Sequence, residues 1–350
     1  MDNNRGHLIS NLFCFESAEI IRVTILVTGA TGLVGNNIVR LLLEQGKSVR
    51  AMVRKNCDSR PLAELDVDVR IGDLEDPTSI EAACQGVSAV IHSAALVHIG
   101  WSMLDEARQV NVEGTRNVAN AAAAANAKMV HVSSVDALGI GQPDAPADET
   151  TPREGKVPCS YVTSKREAEA ALQTVIKEKD LHAVIVNPGF MLGPWDWKPS
   201  SGKMLLEVIK NRPPISPRGG CSVADVRDVA AGAIAAIEKG RPGENYILGG
   251  ANLRYLELWQ LFAAQAGTRK PFCRMDSLFA AGVGMFGDVV SKFRKREMDV
   301  NSGALKMSSQ YHYYHSDKAI KELGYTTRPV EESIEDALAW FKEFGYLPGK

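Results

Sequence analysis

The stretch from Ile21 to Gly35, IRVTILVTGATGLVG, decides the fold of this chain. Its opening residues are mostly apolar or β-branched and predict a buried strand. Three glycines follow in the spacing GxxGxxG, and the periodic apolar residues after them predict a helix that ends near Gly46. A glycine turn between a strand and a helix favours phosphate binding, because a pyrophosphate can approach bare amides at a helix N-terminus. The first two glycines are one residue further apart than in the dinucleotide fingerprint GxGxxG.

Strands and helices alternate after this unit. Such alternation is typical of a parallel sheet with helices on both faces and a ligand site at the carboxyl ends of the strands. We therefore predict an α/β fold, namely a Rossmann-type doubly wound parallel sheet with a smaller C-terminal substrate lobe. The predicted strands cover residues 48–53, 67–71, 89–92, 128–132 and 244–248, and the predicted helices begin at Pro77 and cover 111–125 and 160–176.

The end of the second predicted strand favours NADP as the cofactor. An NAD-specific fold usually has an acidic residue there, which binds the ribose 2′-hydroxyl. Here Arg54 and Lys55 follow the strand, and no acid occurs before Asp58. The guanidinium of Arg54 can meet a 2′-phosphate, so we predict NADP, with NAD as the alternative. A solvated basic turn is the other interpretation of Arg54.

The segment Tyr161-Val162-Thr163-Ser164-Lys165 spaces a tyrosine and a lysine four residues apart on a predicted helix. This spacing places both side chains on one helix face. An ammonium beside a phenol favours the phenolate, so we expect Lys165 to lower the pKa of Tyr161 towards the working pH. The hydroxyl of Ser134, at the end of a predicted strand, can bind a substrate oxygen. A YxxxK pattern alone is usually a solvated helix face, but here it follows a phosphate loop.

These motifs together resemble the extended short-chain dehydrogenases/reductases of the NAD(P)-dependent epimerase/dehydratase superfamily, from about Arg22 to Tyr346. The resemblance implies a catalytic triad of Ser134, Tyr161 and Lys165. Ser134 is preferred to Ser133 because the family has a glycine five residues after the catalytic serine, as Gly139 is here.

The resemblance also implies that Asn111 lies in a helix supporting the active site. It further implies that residues 187–194 form a loop over the nicotinamide and that Asp73 binds the adenine, although a turn or helix-capping aspartate is the alternative there. Small residues after the fourth strand would let the cofactor lie against the backbone. The predicted cofactor-binding residues are Gly29, Thr31, Gly32, Leu33, Val34, Gly35, Arg54, Asp73, Leu74, Ala94, Ala95, Tyr161, Lys165, Pro188 and Phe190.

Two enzymatic interpretations stay open. The first is a reductase or alcohol dehydrogenase resembling dihydroflavonol 4-reductases and 3β-hydroxysteroid dehydrogenases, which Arg54 and the Asn-Pro-Gly segment at 187–189 favour. The second is a nucleotide-sugar epimerase with tightly held NAD(P), resembling the hopanoid-associated sugar epimerases, which the segment 193–199 favours. A non-catalytic, dinucleotide-sensing regulator on the same fold is disfavoured because both Tyr161 and Lys165 are present.

The substrate is less defined by the sequence than the cofactor. A dehydratase would have an Asp-Glu pair directly after the triad serine, but this chain has Val135-Asp136 there. We name Trp101, Asp136 and Trp195 as candidate substrate contacts, although packing explains each tryptophan equally well. His92 is interpreted as a packed strand-end histidine. Residues 279–307 carry few cues, and one interpretation is a mobile flap over the substrate.

From these motifs we predict three parts of the chain. Residues 1–21 form an N-terminal extension expected to be disordered, 22–190 form the NAD(P)-binding Rossmann core, and 191–350 form mostly a substrate-binding lobe. The resemblance implies that segments within about 223–248 return to the core. It also implies a homodimer through a bundle of paired helices.

Composition narrows the remaining classes of partner. The net charge is -2 and no long run has one sign, so we predict a small-molecule substrate and no nucleic acid. No apolar run reaches the roughly 20 residues of a membrane span, so none is predicted. No two cysteines are close enough for a CxxC pair, which predicts no metal site and a reduced, cytoplasmic protein. The six cysteines are Cys14, Cys57, Cys84, Cys159, Cys221 and Cys273.

Overall fold

The computed structural model describes residues 23–294 and 297–347, so the extension predicted at 1–21 lies outside the described residues. The first part contains β1 (Thr24–Thr28), α1 (Leu33–Glu44), β2 (Ser48–Val53), β3 (Asp68–Ile71), α2 (Pro77–Cys84), β4 (Ala89–His92), α3 (Leu104–Ala107), a π-helical turn (Arg108–Glu113), α4 (Gly114–Ala124), β5 (Lys128–Val132), α5 (Ser160–Lys179) and β6 (Ala183–Pro188). The second part contains β7 (Phe190–Leu192), α6 (Ser201–Asn211), β8 (Ile215–Ser216), β9 (Gly220–Asp225), α7 (Val226–Lys239), β10 (Asn245–Leu248), β11 (Ala251–Arg254), α8 (Tyr255–Gln265), β12 (Cys273–Arg274), α9 (Ser277–Arg294), α10 (Ser302–Ser308), β13 (Tyr311–His312), α11 (Asp317–Leu323) and α12 (Val330–Glu343).

The main sheet has seven strands in the order β3-β2-β1-β4-β5-β6-β10, and every neighbouring pair is parallel. This order confirms the predicted Rossmann-type doubly wound fold. β2, β4 and β5 begin and end at the predicted residues. The strand order reverses between β1 and β4, so a crevice for a dinucleotide opens at their carboxyl ends.

Helices cover both faces of the main sheet. The side chains of Val27 and Ile91 join those of α1 and α7 in one buried cluster. Leu26 and Val90, one residue earlier on the same strands, join those of α2, α4 and α5 in another. This division follows from the alternation of side chains along a strand. Because both faces are apolar, the strands read as continuous apolar runs in the sequence.

A second, smaller sheet lies in the C-terminal part. β9 is its centre, and it pairs with β7 and β13 in parallel and with β11 antiparallel. Leu205, Phe262 and Phe341 belong to a separate buried cluster below this sheet, contributed by α6, α8 and α12. α7 and β10 follow β9 in sequence but pack on α1 and pair with β6, respectively. The two lobes are therefore interleaved along the chain.

Two segments differ in detail from their sequence-based description. The helix predicted over 111–125 corresponds to α4 together with the last three residues of the π-helical turn. The helical segment starts earlier than predicted, because α3 and the first half of the turn come before residue 111. Residues 279–307 lie mainly in α9 and α10, which pack against each other. No helix within residues 23–294 and 297–347 is long and apolar enough to cross a membrane.

Candidate active site

The glycine loop between β1 and α1 is pressed against the segment that follows β4. Gly29 has a φ of +70°, and a Cβ built there would lie 2.6 Å from the backbone nitrogen of Ala94. A Cβ on Gly35 would overlap the carbonyl oxygen of Gly29. Gly32 caps α1 without any side-chain hydrogen bond, so no side chain covers the amides of the first turn, where Leu33 and Val34 begin the helix. This bare, close-packed cradle fits a dinucleotide pyrophosphate.

The residues predicted to bind the adenosine end lie on two neighbouring strands. Arg54 directly follows β2, is exposed, and makes no ion pair or side-chain hydrogen bond with the described residues. Asp73 is exposed just beyond β3, and its Oδ1 accepts a hydrogen bond from the Glu75 amide at 3.1 Å. Leu74 beside it is buried against α4. Because β2 and β3 are parallel neighbours, both polar side chains lie at the same edge of the sheet.

The three residues of the predicted triad meet at the carboxyl end of β5. Lys165 donates a hydrogen bond from Nζ to the carbonyl oxygen of Val132 at 3.1 Å. Tyr161 lies one turn earlier on α5, and its phenol is close enough to Ser134, two residues beyond Val132, for that side chain to lower its pKa. The structure therefore brings together the three side chains of the predicted triad.

Asn111 ties the segment after β4 to the catalytic helix. Its Oδ1 accepts from the Leu96 amide at 2.7 Å, and its Nδ2 donates to the Leu96 carbonyl at 2.9 Å and to Ser164 Oγ at 3.0 Å. Asn111 lies in the π-helical turn, and such turns are frequent at functional sites. The sequence placed Asn111 in a supporting helix, but no sequence pattern indicated the π-helical geometry.

A model of the NAD dependent epimerase/dehydratase family matches residues 25–249. The chain belongs to this family. It is 34% identical to a putative dihydroflavonol 4-reductase of Synechocystis, over 92% of this chain and 95% of the relative. It is 32% identical to sterol demethylase protein B of Methylococcus capsulatus, over 93% and 100%. The crystal structure of gox2253 superposes with a TM-score of 0.82 at 38% identity, covering 93% of this chain and 99% of that one.

These similarities confirm the resemblance stated from the motifs. The protein is an NAD(P)-dependent oxidoreductase of the extended short-chain type in the epimerase/dehydratase family. In its active site, burial lowers the pKa of Lys165 to about 8, which the charge of Glu169 opposes. Burial also raises the pKa of Tyr161 well above its usual range, and the charge of Asp136 adds to this rise, whereas Ser134 opposes it. The lowering of the Tyr161 pKa expected from Lys165 is not what the structure gives, because burial dominates.

Two stacked histidines lie close to Lys165. The rings of His92 and His131 have centroids 5.4 Å apart. Burial lowers the pKa of His92 to about 3 and that of His131 well below its usual value, and the charge of Lys165 acts in the same direction on both. His92 bonds with Thr28 Oγ1 at 2.7 Å and with Thr115 Oγ1 at 3.2 Å, as befits a packed strand-end residue. Both rings are neutral at physiological pH.

Asp136 is held by Lys156 and His312, which no sequence pattern indicated as its partners. Its Oδ1 lies 2.9 Å from Lys156 Nζ and 3.2 Å from His312 Nδ1. Its own amide donates to Ser134 Oγ at 3.1 Å. Burial alone would raise the pKa of Asp136, but Lys156 and His312 together hold it well below its usual range. No sequence signal could have paired these residues, because they are brought together only by the tertiary fold.

The two candidate tryptophans have different surroundings. Trp195 lies under the guanidinium of Arg40, at 3.3 Å from the ring centroid, and packs beside Trp340 and Phe344. This placement explains Trp195 by packing. Trp101 is 42% exposed, and its indole donates to Ser302 Oγ at 2.8 Å.

The post-strand loop is anchored to the catalytic strand. Asn187 donates from Nδ2 to the Ser134 carbonyl at 2.9 Å and to Glu169 Oε1 at 2.8 Å. Pro188 is buried at the end of β6, and Phe190 is half-buried at the start of β7. This connection fixes the loop relative to the triad.

Proposed function

We propose that this protein is an NADPH-dependent reductase of a carbonyl group on a polycyclic substrate of low polarity, able to oxidise the matching alcohol at the same site. The observation that carries the proposal is the meeting of Ser134, Tyr161 and Lys165 beside the glycine cradle. A phenol can donate a proton only when it is protonated. The pKa of Tyr161 is raised, so its hydroxyl is protonated at neutral pH.

Each side chain of the triad has a separate role in this proposal. When bound, the cofactor supplies a hydride to the carbonyl carbon. The Tyr161 phenol donates its proton to the carbonyl oxygen, and the Ser134 hydroxyl binds the same oxygen and steadies its developing charge. The Lys165 ammonium stabilises the phenolate that is left behind and would bind the nicotinamide ribose.

The preference for NADP rests on Arg54. Its exposed guanidinium has no ion-pair partner among the described residues, so it is available for a 2′-phosphate. The other proposed cofactor contacts are Gly29 to Gly35 at the pyrophosphate, Asp73 and Leu74 at the adenine, Ala94 and Ala95 along the backbone, and Pro188 and Phe190 at the nicotinamide.

The substrate class rests on the relatives and on the surface near the triad. One relative is named for a dihydroflavonol and the other for a sterol, and both are polycyclic. The 97–103 loop, whose exposed apolar residues include Trp101, contacts the start of α5, where Ser160 Oγ donates to the Gly100 carbonyl at 3.1 Å. We propose Trp101 as a substrate contact. Asp136 and Trp195 are already engaged by internal partners, so we leave them out of the proposed substrate site.

The test is a screen of the purified full-length protein. NADPH absorbance is followed with a dihydroflavonol and with a steroid ketone, and products are analysed in parallel with UDP-sugars. We expect NADPH consumption with at least one carbonyl and none of it in the Tyr161→Phe variant. Sugar interconversion without NADPH consumption would instead identify an epimerase, and cofactor binding without turnover of either class would identify a dinucleotide sensor.

We also propose a cytoplasmic location and a homodimer. The five described cysteines are all free thiols, which suits a reducing compartment. Light scattering of the purified protein measures the mass in solution and tests the dimer.

A further inference from the structure

The helix α9 presents an apolar face that none of the described residues covers. Six large apolar side chains on this helix are each more than half exposed. At about 100° per residue they lie within an arc of about 120°. The opposite side of the helix is formed by small residues that pack against α10 and the segment before it. The six exposed side chains, which we call the α9 face, are Leu278, Phe279, Met285, Phe286, Val289 and Phe293.

Positive charge accompanies this face at the C-terminal end of the helix. Lys292 and Arg294 are exposed in its last turn, and the sequence continues directly with Lys295-Arg296. Arg274 is exposed three residues before the helix begins. None of Lys292, Arg294 and Arg274 forms an ion pair with another residue that the structure describes. The whole chain carries a net charge of -2, so this basic run is a local feature.

Three of the acidic residues near α9 are engaged elsewhere, whereas Asp276 is exposed at the start of the helix and accepts a hydrogen bond from the Leu278 amide at 2.9 Å. Asp288 accepts a hydrogen bond from the Ser302 amide at 3.0 Å. Asp299 pairs with Lys203 at 2.6 Å, and Glu297 bonds with His98 Nε2 at 2.8 Å. The surface around the α9 face is therefore apolar at its centre and positive at its C-terminal end, whereas Arg274 and Asp276 offset each other at the N-terminal end.

We infer that the α9 face docks on a bilayer that contains anionic lipids. An exposed apolar arc flanked by Lys and Arg is the pattern of a helix that lies in the membrane interface, with its apolar side chains among the acyl chains and its cations at the headgroups. A second copy of the chain is the competing occupant, and the oligomeric state measured below distinguishes it from the bilayer. Monomeric proteins rarely leave a continuous apolar patch without an interaction partner.

The docking surface is connected to the active site. Glu297, just beyond α9, accepts from the Trp101 amide at 2.9 Å. Asn301 donates to the Ile99 carbonyl at 3.1 Å. Ser160, which directly precedes Tyr161, donates from its hydroxyl to the Gly100 carbonyl at 3.1 Å. The loop between these contacts adds exposed apolar side chains at Val97, Ile99, Trp101 and Met103.

Docking would therefore bring this side of the active site towards the lipid phase, where substrates of low polarity accumulate. The docking itself does not depend on the proposed function. It is measured by binding alone.

Flotation of the full-length protein with vesicles tests the inference. Vesicles of phosphatidylcholine and phosphatidylglycerol in equal parts are compared with vesicles of phosphatidylcholine alone. We expect binding to the mixed vesicles that weakens with salt. The double variant Phe286→Glu/Phe293→Glu should lower the partition coefficient by about tenfold or more, because both side chains leave the apolar phase. Lys292→Gln/Arg294→Gln should lower it by about tenfold on mixed vesicles only.

The control is Ile320→Glu, which places one acidic charge on a half-exposed apolar position of α11. It should bind vesicles as the wild type does. Turnover of a water-soluble ketone without vesicles should be the same in all of these variants. Because flotation measures binding alone, a failure of the proposed function would leave the vesicle result intact. Wild-type protein that does not float, or a Phe286→Glu/Phe293→Glu variant that floats equally well, overturns the inference. A dimer that this variant converts to monomers also overturns it and assigns the face to a second copy.

Discussion

Lys165 and Val132 join the catalytic helix to the end of the central strand β5 through a hydrogen bond of 3.1 Å from Nζ to the carbonyl oxygen. The bond places the lysine ammonium beside Val132, two residues before Ser134 in the chain. The neutral pair of His92 and His131 lies close to it. Burial at this position disfavours the charged form of Lys165. Burial at the position where this bond holds the ammonium therefore makes the charge of Lys165 dependent on pH.

Carbonyl reduction is expected to slow as the pH rises through about 8. The pKa of Lys165 is lowered to about 8, so the ammonium is present below that pH and is lost above it. A lysine whose pKa is lowered on folding binds its proton more weakly than in the unfolded chain. Below about pH 8, the buried charge of Lys165 therefore lowers the free energy of unfolding. This penalty decreases as the pH rises from about 8 towards the pKa of the lysine in the unfolded chain.

The measurement is kcat/KM against pH. Lys165→Arg is the control, because its guanidinium stays protonated and should remove the decline in whatever activity remains. A wild-type profile that stays flat to pH 10 would contradict the role of the Lys165 charge.

Tyr161→Phe should reduce kcat by at least about a hundredfold, because it removes the proton donor. NADPH affinity should change by no more than about twofold, since the ring and its packing are kept. Steady-state turnover and fluorescence titration of NADPH measure the two quantities. Tyr311→Phe removes a hydroxyl from a half-buried tyrosine on β13 and should leave both unchanged. Unchanged turnover in Tyr161→Phe would refute the assigned role.

Arg54→Asp should weaken NADP binding by about tenfold to a hundredfold and NAD binding far less, because it removes a charge-assisted contact with the 2′-phosphate. Arg60→Gln is the matched control, because the Arg60 guanidinium in the same loop is already paired with Asp58 at 2.6 Å. Calorimetric titration with both dinucleotides gives the two affinities. Equal losses for NADP and NAD in Arg54→Asp would show that this side chain does not select the cofactor.

Gly29→Ala and Gly46→Ala separate backbone strain from steric overlap. Both glycines have a φ of +70°, but only Gly29 has atoms where a Cβ would stand, with Ala94 N at 2.6 Å. Gly46→Ala should cost about 1 kcal/mol of unfolding free energy from the left-handed conformation alone. Gly29→Ala should cost more and should also weaken NADPH binding. Urea unfolding and NADPH titration distinguish these outcomes, and equal costs with intact binding would argue against the cradle.

Lys156→Met should lower the free energy of unfolding by about 3–5 kcal/mol, because it leaves the Asp136 carboxylate buried without its main counter-charge. The side chain of Lys156 is fully buried, and it also donates to the Val135 carbonyl at 2.6 Å. Lys203→Met, which breaks the exposed pair with Asp299, should have no measurable effect. Similar urea midpoints for the two variants would show that the buried pair adds little.

Much of the fold was predictable because local signals agree with it. β2, β4 and β5 are short, mostly apolar runs, and their ends could be read from the sequence. The helix α5 begins at Ser160 as predicted and runs three residues beyond the predicted end at 176, to the left-handed Asp180. The proximity of Ser134, Tyr161 and Lys165 could be anticipated because the four-residue spacing and the strand-end serine are local features, whereas their catalytic roles stay a prediction.

The remaining features depend on contacts between distant parts of the chain. The π-helical geometry around Asn111 is set by its bonds to Leu96 and Ser164, which lie on other elements. The raised pKa of Tyr161 comes from burial, which a helix pattern does not reveal. The pairing of Asp136 with His312 needs β13 to pass close to the end of β5. Such contacts follow from the assembled fold and leave no mark on local sequence.

The interleaving of the lobes limits how this chain can be divided. A fragment that ends after β7 would lack β10, so the edge of β6 would lose its partner strand. It would also lack α7, and the apolar side of α1 would face water. Neither lobe is therefore a portable module, and the dinucleotide half of this enzyme cannot be exchanged between relatives by a single crossover after residue 190.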